Sequence, residues 1–184
     1  MKKEQKYLIK FASYIGIIVF IILCVTHDSK LDVNLGKTLL GFIGDSVTIS
    51  IFFSIVYERY LWKYNPLESR PRLSKRYEGK LHSNFDNIDR NVKIEISQTL
   101  TTTHVAFHTD ESRSNAISAD IVKQDEQSLL IYTYLNIPNA QVRSNSPMHY
   151  GTVVVSINEQ NELEGNYFTD RKTTGYFKVF SINK

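Results

Sequence analysis

The residues best equipped for chemistry lie in the C-terminal half of the chain, and they offer recognition rather than catalysis. If 128–137 and 162–170 are strands, alternation puts Tyr132, Tyr134 and Asn136 on one face of the first. Leu163, Gly165, Tyr167, Thr169 and, just beyond, Arg171 share a face of the second. Tyrosine rings give stacking surfaces, an asparagine amide gives a paired donor and acceptor for a base edge, and arginine can clamp a phosphate. That set suits a small nucleotide. An ordinary barrel interior with polar rims accounts for the same residues.

Catalytic patterns are absent. Gly36, Gly41 and Gly44 lie in or beside an apolar run and form no phosphate-cradling loop. His104 and His108 have the spacing of a metal pair only on a helix; on a strand they stand about 13 Å apart, too far to share one ion. No serine or threonine sits in a nucleophile-elbow context. The expectation is a non-enzyme without metal or cofactor.

The elements that must position these residues are strands. Runs rich in Val, Ile, Thr, Tyr and Phe recur at 77–83, 91–98, 100–109, 115–123, 128–137, 149–158, 162–170 and 174–182, separated by turn-like clusters. Eight short strands with no amphipathic helix among them predict an antiparallel up-and-down β-barrel over 77–184, with room for side chains and one small ligand. A seven-stranded sandwich is the alternative. Strand two places Ile94, Ile96 and Gln98 opposite Lys93 and Glu95. In the fifth and sixth strands the pattern does not choose between faces.

Before the barrel come two apolar segments, 7–25 and 39–57, within an anchor spanning 1–64. Nineteen helical residues reach about 28 Å, close to the bilayer's hydrocarbon thickness. No small-x-small cleavage site follows Val25, which argues against a signal peptide. Lys30 and Lys37 lie between the segments; Lys2, Lys3, Lys6, Lys10, Arg59, Lys63, Arg70, Arg72, Lys75 and Arg76 lie on the other side. This bias predicts two spans with both termini cytoplasmic. Residues 65–76, with two prolines and four basic side chains, read as a stiff linker. The single cysteine, Cys24, excludes an internal disulfide.

Ser46, Ser50 and Ser54 recur every four residues in the second segment, as Ala12 and Gly16 do in the first. Small residues at this spacing let helices approach, either within one hairpin or between protomers. Asp45 is a carboxylate within a membrane segment, though near its outer end. The hypothesis is that Asp45 and the serine stripe face an oligomer interface or a pore.

Charge divides unevenly. Residues 1–76 carry 12 basic against 6 acidic side chains, and residues 77–184 carry 10 against 13, within a net charge of +3. An acidic barrel does not suit a nucleic-acid polymer, whose binding rests on neutralised phosphates. The basic anchor suits an anionic lipid surface.

An NPLE-x-x-P-R-L-S linker, YTYLN-x-P, HYGT and L-x-G-x-YFTDR-x-T-x-G, in this order behind a membrane hairpin, resemble one known family. It is the two-transmembrane, β-strand-rich membrane effector associated with CD-NTases in bacterial CBASS anti-phage defence. The resemblance covers nearly the whole chain. It implies that a partner CD-NTase makes a cyclic dinucleotide or related cyclic oligonucleotide, which the barrel binds. It further implies that the effector forms a homo-oligomer in the inner membrane and disrupts it, killing the infected cell. Matched onto this chain, YTYLN gives Tyr132, Tyr134 and Asn136; HYGT gives His149 and Thr152; and YFTDR gives Tyr167, Thr169 and Arg171. Two other readings remain at this point: a tethered barrel carrying a lipid or apolar molecule, and a structural anchor that recruits proteins.

Overall fold

The computed structural model describes residues 3–27, 34–144 and 146–182. Lys2, Asp28, Lys30 and Asp32, which entered the charge reading, lie outside the described residues. The chain divides into two compact units. One runs to Glu68 and includes Thr99–Thr101; the other holds Ser69–Gln98 and everything from Thr102.

The first unit is a helical hairpin of α1 (Lys3–Thr26) and α2 (Leu35–Arg59), followed by a short 3-10 turn at Leu61–Tyr64. Neither helix interior contains proline, and both are long and apolar enough to cross a membrane. No residue of α1 is buried, as expected of a helix whose apolar surface meets lipid. Ser46, Ser50 and Ser54 are the only buried residues of α2. They pack within this hairpin: a Cβ on Gly16 would stand 3.6 Å from the Ser50 side chain. Each hydroxyl donates to a carbonyl of its own helix, Ser46 to Ile43, Ser50 to Val47 and Ser54 to Ser50, at 2.7–2.9 Å. The stripe is thus a close-packing seam with its polarity satisfied internally. Asp45 is exposed and does not share that face. Phe11 stacks on Tyr57 at 4.6 Å, and His27 meets Phe42 edge-on at 5.3 Å.

At the end of α2, Glu58 gathers the short segment Thr99–Thr101. Its carboxylate accepts from the hydroxyls of Thr99 and Thr101, the latter at 2.7 Å, and its carbonyl accepts from Leu100 N–H at 3.0 Å. Leu100 and Thr101, expected to begin the third strand, are diverted into this contact, and the strand starts only at Thr103.

The second unit is a closed antiparallel barrel whose strands follow chain order. They are β1 (Arg76–Ser83), β2 (Asp89–Gln98), β3 (Thr103–His108), β4 (Ser112–Gln124), β5 (Gln127–Pro138), β6 (His149–Ile157), β7 (Leu163–Thr169) and β8 (Thr174–Ser181). Closure comes from β1 pairing with β8, for example Leu81 opposite Phe177. A bulge between Ala116 and Ser118 bends β4.

One barrel end is filled and the other is not. Near the end where the chain enters, Tyr77, Ile94, Ile96, Val105, Leu130, Val155, Leu163 and Val179 fill the interior. The segment preceding β1 seals this end. Leu73 and Ser74 are buried there. Gln98 accepts from Leu73 N–H at 3.0 Å and donates to Pro71 O at 2.8 Å, and Tyr77 OH donates to Asn161 at 2.8 Å. On five of the strands the inward positions then turn polar toward the opposite end: Ser83 on β1, Arg90 on β2, Ser114 on β4, Asn136 on β5 and His149 on β6.

Candidate ligand-binding site

In an up-and-down barrel the β1–β2, β3–β4, β5–β6 and β7–β8 loops all share one end. Here they surround a cavity of about 430 Å³ at the polar end. Its floor is apolar and aromatic, with Leu81, Phe107, Val153 and Phe177; its upper wall carries serines, threonines, Asn136, His149 and four charged residues.

Of the residues singled out in the sequence, Tyr132, Tyr134, Asn136, His149, Tyr167 and Arg171 line this cavity. Tyr132, Tyr134 and Asn136 are the buried face of β5, whereas Ile131, Thr133 and Leu135 face outward and are half-buried. Thr152 lies on the outer face of β6, opposite in parity to inward Gly151 and Val153, and its hydroxyl meets Thr133 at 3.3 Å. Alternation therefore takes it out of the cavity, even though it belongs to the same short motif as His149. Thr169 sits at the rim, its hydroxyl 2.7 Å from that of Thr173, which does line the cavity.

Two glycines make room for the rings. Tyr134 lies across Gly151, its register partner on β6; a Cβ there would stand 2.4 Å from the Tyr134 ring carbon Cζ and hydroxyl oxygen. Tyr167 lies in the same way over Gly175 on β8, where a Cβ would meet the ring at 2.3 Å. Both tyrosines thus lean on bare backbone, which fixes ring direction without a competing side chain.

The polar groups are oriented but incompletely satisfied. Ser114 donates to Asn136 Oδ1 at 2.8 Å, and both side chains are buried. Arg171 places its guanidinium over the Phe85 ring at 5.8 Å and reaches Ser146 through Nη2 at 3.5 Å, but its buried Nε has no partner. The Tyr132 hydroxyl, at the bottom of the cavity, has none either. Burial pushes both Tyr132 and Tyr134 well above the ordinary phenol range, so each remains a neutral donor. Burial and nearby Arg171 push His149 down, which favours its neutral form.

Several lining residues were missed in the sequence: Phe85, Asp86, Ile88 and Arg90 from the segment read as a plain turn, and Glu111 and Ser146 from other loops. The available signal was topological. Once closure is assumed, every second loop reaches the same mouth.

Comparison with known proteins agrees with this geometry. Residues 69–180 match the family model described as "Cap15, cyclic dinucleotide receptor domain". The chain belongs to the Cap15 family. It is also similar to a CD-NTase-associated protein 15 from Staphylococcus schleiferi, with 31% identity over 183 residues covering 97% of this chain and 98% of that protein. The matched segment begins at the residues that seal the filled end and runs through the whole barrel, so the Cap15 receptor domain coincides with the unit that contains the cavity.

Proposed function

We propose that the cavity binds a cyclic dinucleotide made by a partner CD-NTase, and that this chain is a membrane effector of CBASS anti-phage defence. The observation that carries the reading is the pair of buried donors without partners, Arg171 Nε and the Tyr132 hydroxyl, in a cavity with a polar upper wall. Buried donors left unpaired cost about 1–3 kcal/mol each, so a site holding two of them favours an acceptor-rich occupant. Phosphodiester oxygens and base edges are such acceptors. Tyr134, Tyr167 and Phe85 supply ring faces, and Asn136, fixed by Ser114, presents an amide.

A carried lipid would favour an apolar lining, and the polar upper wall speaks against it. A purely structural barrel would be filled at both ends, and this one is not.

Binding then drives homo-oligomerisation in the bacterial inner membrane, disruption of that membrane and death of the infected cell. The two apolar helices supply the membrane element. The basic residues flanking them favour cytoplasmic termini, which puts the barrel where the second messenger is made. Asp45, exposed on an apolar helix, is a group that a helix-helix contact between protomers would shelter. The test is dye release from vesicles of bacterial lipid containing the full-length chain. Release on adding a cyclic dinucleotide is the expected result; intact vesicles at saturating ligand would remove the effector step.

A further inference from the structure

Arg171 is one of two arginines lining the cavity; the other, Arg90, is already occupied. It gives Nη1 and Nη2 to the two carboxylate oxygens of Asp86 at 3.0 and 2.5 Å, and Nε to Glu111 Oε2 at 2.9 Å. Asp86 stands four residues before Arg90 on the β1–β2 hairpin, while Glu111 comes from the β3–β4 loop, so the guanidinium links two loops across the mouth. The charged lining residues therefore balance: Arg90 and Arg171 against Asp86 and Glu111.

A cyclic dinucleotide carries two phosphodiester anions. Arg171 has an open Nε for one. The second finds a guanidinium only if Arg90 is freed from a carboxylate. The two carboxylates are not equivalent. Asp86 holds Arg90 with both oxygens, accepts Ile88 N–H at 3.2 Å as well, and its side chain is 24% exposed. Glu111 makes a single bond and is 50% exposed, so water readily takes over its solvation on release.

We propose that Arg90 is a second phosphate-binding residue of the cavity and that Glu111 occupies it until the ligand arrives. The incoming phosphodiester takes the Glu111 position on Arg90 Nε, and the β1–β2 and β3–β4 loops are unlinked as it does so. Glu111 thus sets the ligand concentration at which the site responds. This inference rests on the cyclic-dinucleotide reading above.

The test is titration calorimetry of the detergent-solubilised full-length chain against cyclic dinucleotides carrying adenine, guanine, cytosine and uracil in each combination. Glu111→Gln keeps the shape and removes the competing charge, and is expected to bind about five-fold more tightly than wild type. Arg90→Gln is expected to bind at least about ten-fold more weakly, and to make the Glu111 substitution silent in the double variant. If Glu111→Gln binds no more tightly than wild type, the ion pair only braces the mouth and the proposal is overturned. That single variant decides even if Arg90→Gln fails to fold. If wild type binds nothing in the panel, the cyclic-dinucleotide reading falls and takes this inference with it; wild-type binding without Glu111 competition removes this inference alone.

Discussion

Gly151→Ala separates the recognition surface from the fold that carries it. An added Cβ would stand 2.4 Å from Tyr134 Cζ and Oη and 2.7 Å from Cε1, and its three nearest neighbours are all atoms of that one ring. Ordinary van der Waals contact begins near 3.4 Å, so the ring tip must retreat by about 1 Å. Its open direction is the cavity, which Tyr134 lines. Overpacking of this size costs about 1–3 kcal/mol, and a loss of about 1.4 kcal/mol in binding is a factor of ten. The expected outcome is a barrel that still melts cooperatively, with affinity for a cyclic dinucleotide reduced about ten-fold by calorimetry. The effect should vanish in a Tyr134→Ala background, because the clash has no partner there. Wild-type affinity in Gly151→Ala, or a penalty that simply adds to that of Tyr134→Ala, would refute the reasoning. Gly175→Ala makes a useful contrast: its Cβ would also meet the His82 carbonyl oxygen at 2.3 Å, so it should lower the melting temperature as well.

Other outcomes follow from the same geometry. Arg171→Ala should weaken ligand binding by about ten-fold or more with little change in melting temperature, as the guanidinium rests on Phe85 and Ser146 at the rim. Phe177→Ala removes a fully buried ring packed edge-on against Phe107 at 5.5 Å, and should cost about 3–5 kcal/mol in denaturant unfolding. His149 has its folded pKa below 6.5, so its stabilising contribution is present above that value and declines as the pH falls through the folded pKa. Burial is the main cause of the depression; Arg171 adds to it, and the Pro147 carbonyl and Asp170 oppose it. An arriving anion that takes up Arg171 should raise the pKa, so binding should consume protons and tighten on mild acidification; calorimetry in buffers of differing ionisation enthalpy measures this. Asp45→Ala should reduce ligand-triggered dye release from vesicles while leaving affinity unchanged.

Much of the architecture was legible because the chain alternates so regularly. On β2 and β7 the polar residues mark the outer face, and Ile94, Ile96, Leu163 and Tyr167 point inward as the pattern says. On β5 and β6 the outer wall is itself apolar, with Ile131, Leu135 and Val154 half-buried, so alternation distinguishes two apolar faces and decides nothing. There the inward tyrosines became visible only through barrel closure. The loop residues at the mouth were hidden for a related reason. Phe85, Arg90 and Glu111 are far apart in sequence and ordinary in composition, and only the shared end of the barrel brings them together. Thr152 shows the converse: it belongs to a short recognisable motif, yet one residue of parity puts it outside. In the helices, spacing identified the serine seam, but not its partner, because small residues suit a neighbouring helix of the same chain and one of another chain equally well.

The central claim is that the polar end of this barrel takes a cyclic dinucleotide between Arg171 and the buried tyrosines. Titration calorimetry of the full-length chain in detergent, wild type beside Arg171→Ala, tests it most directly. Wild type should give saturable one-to-one heat with at least one cyclic dinucleotide, and the variant a clear loss of affinity. Heats indistinguishable from dilution across every base combination, or equal affinity in the two proteins, would contradict it.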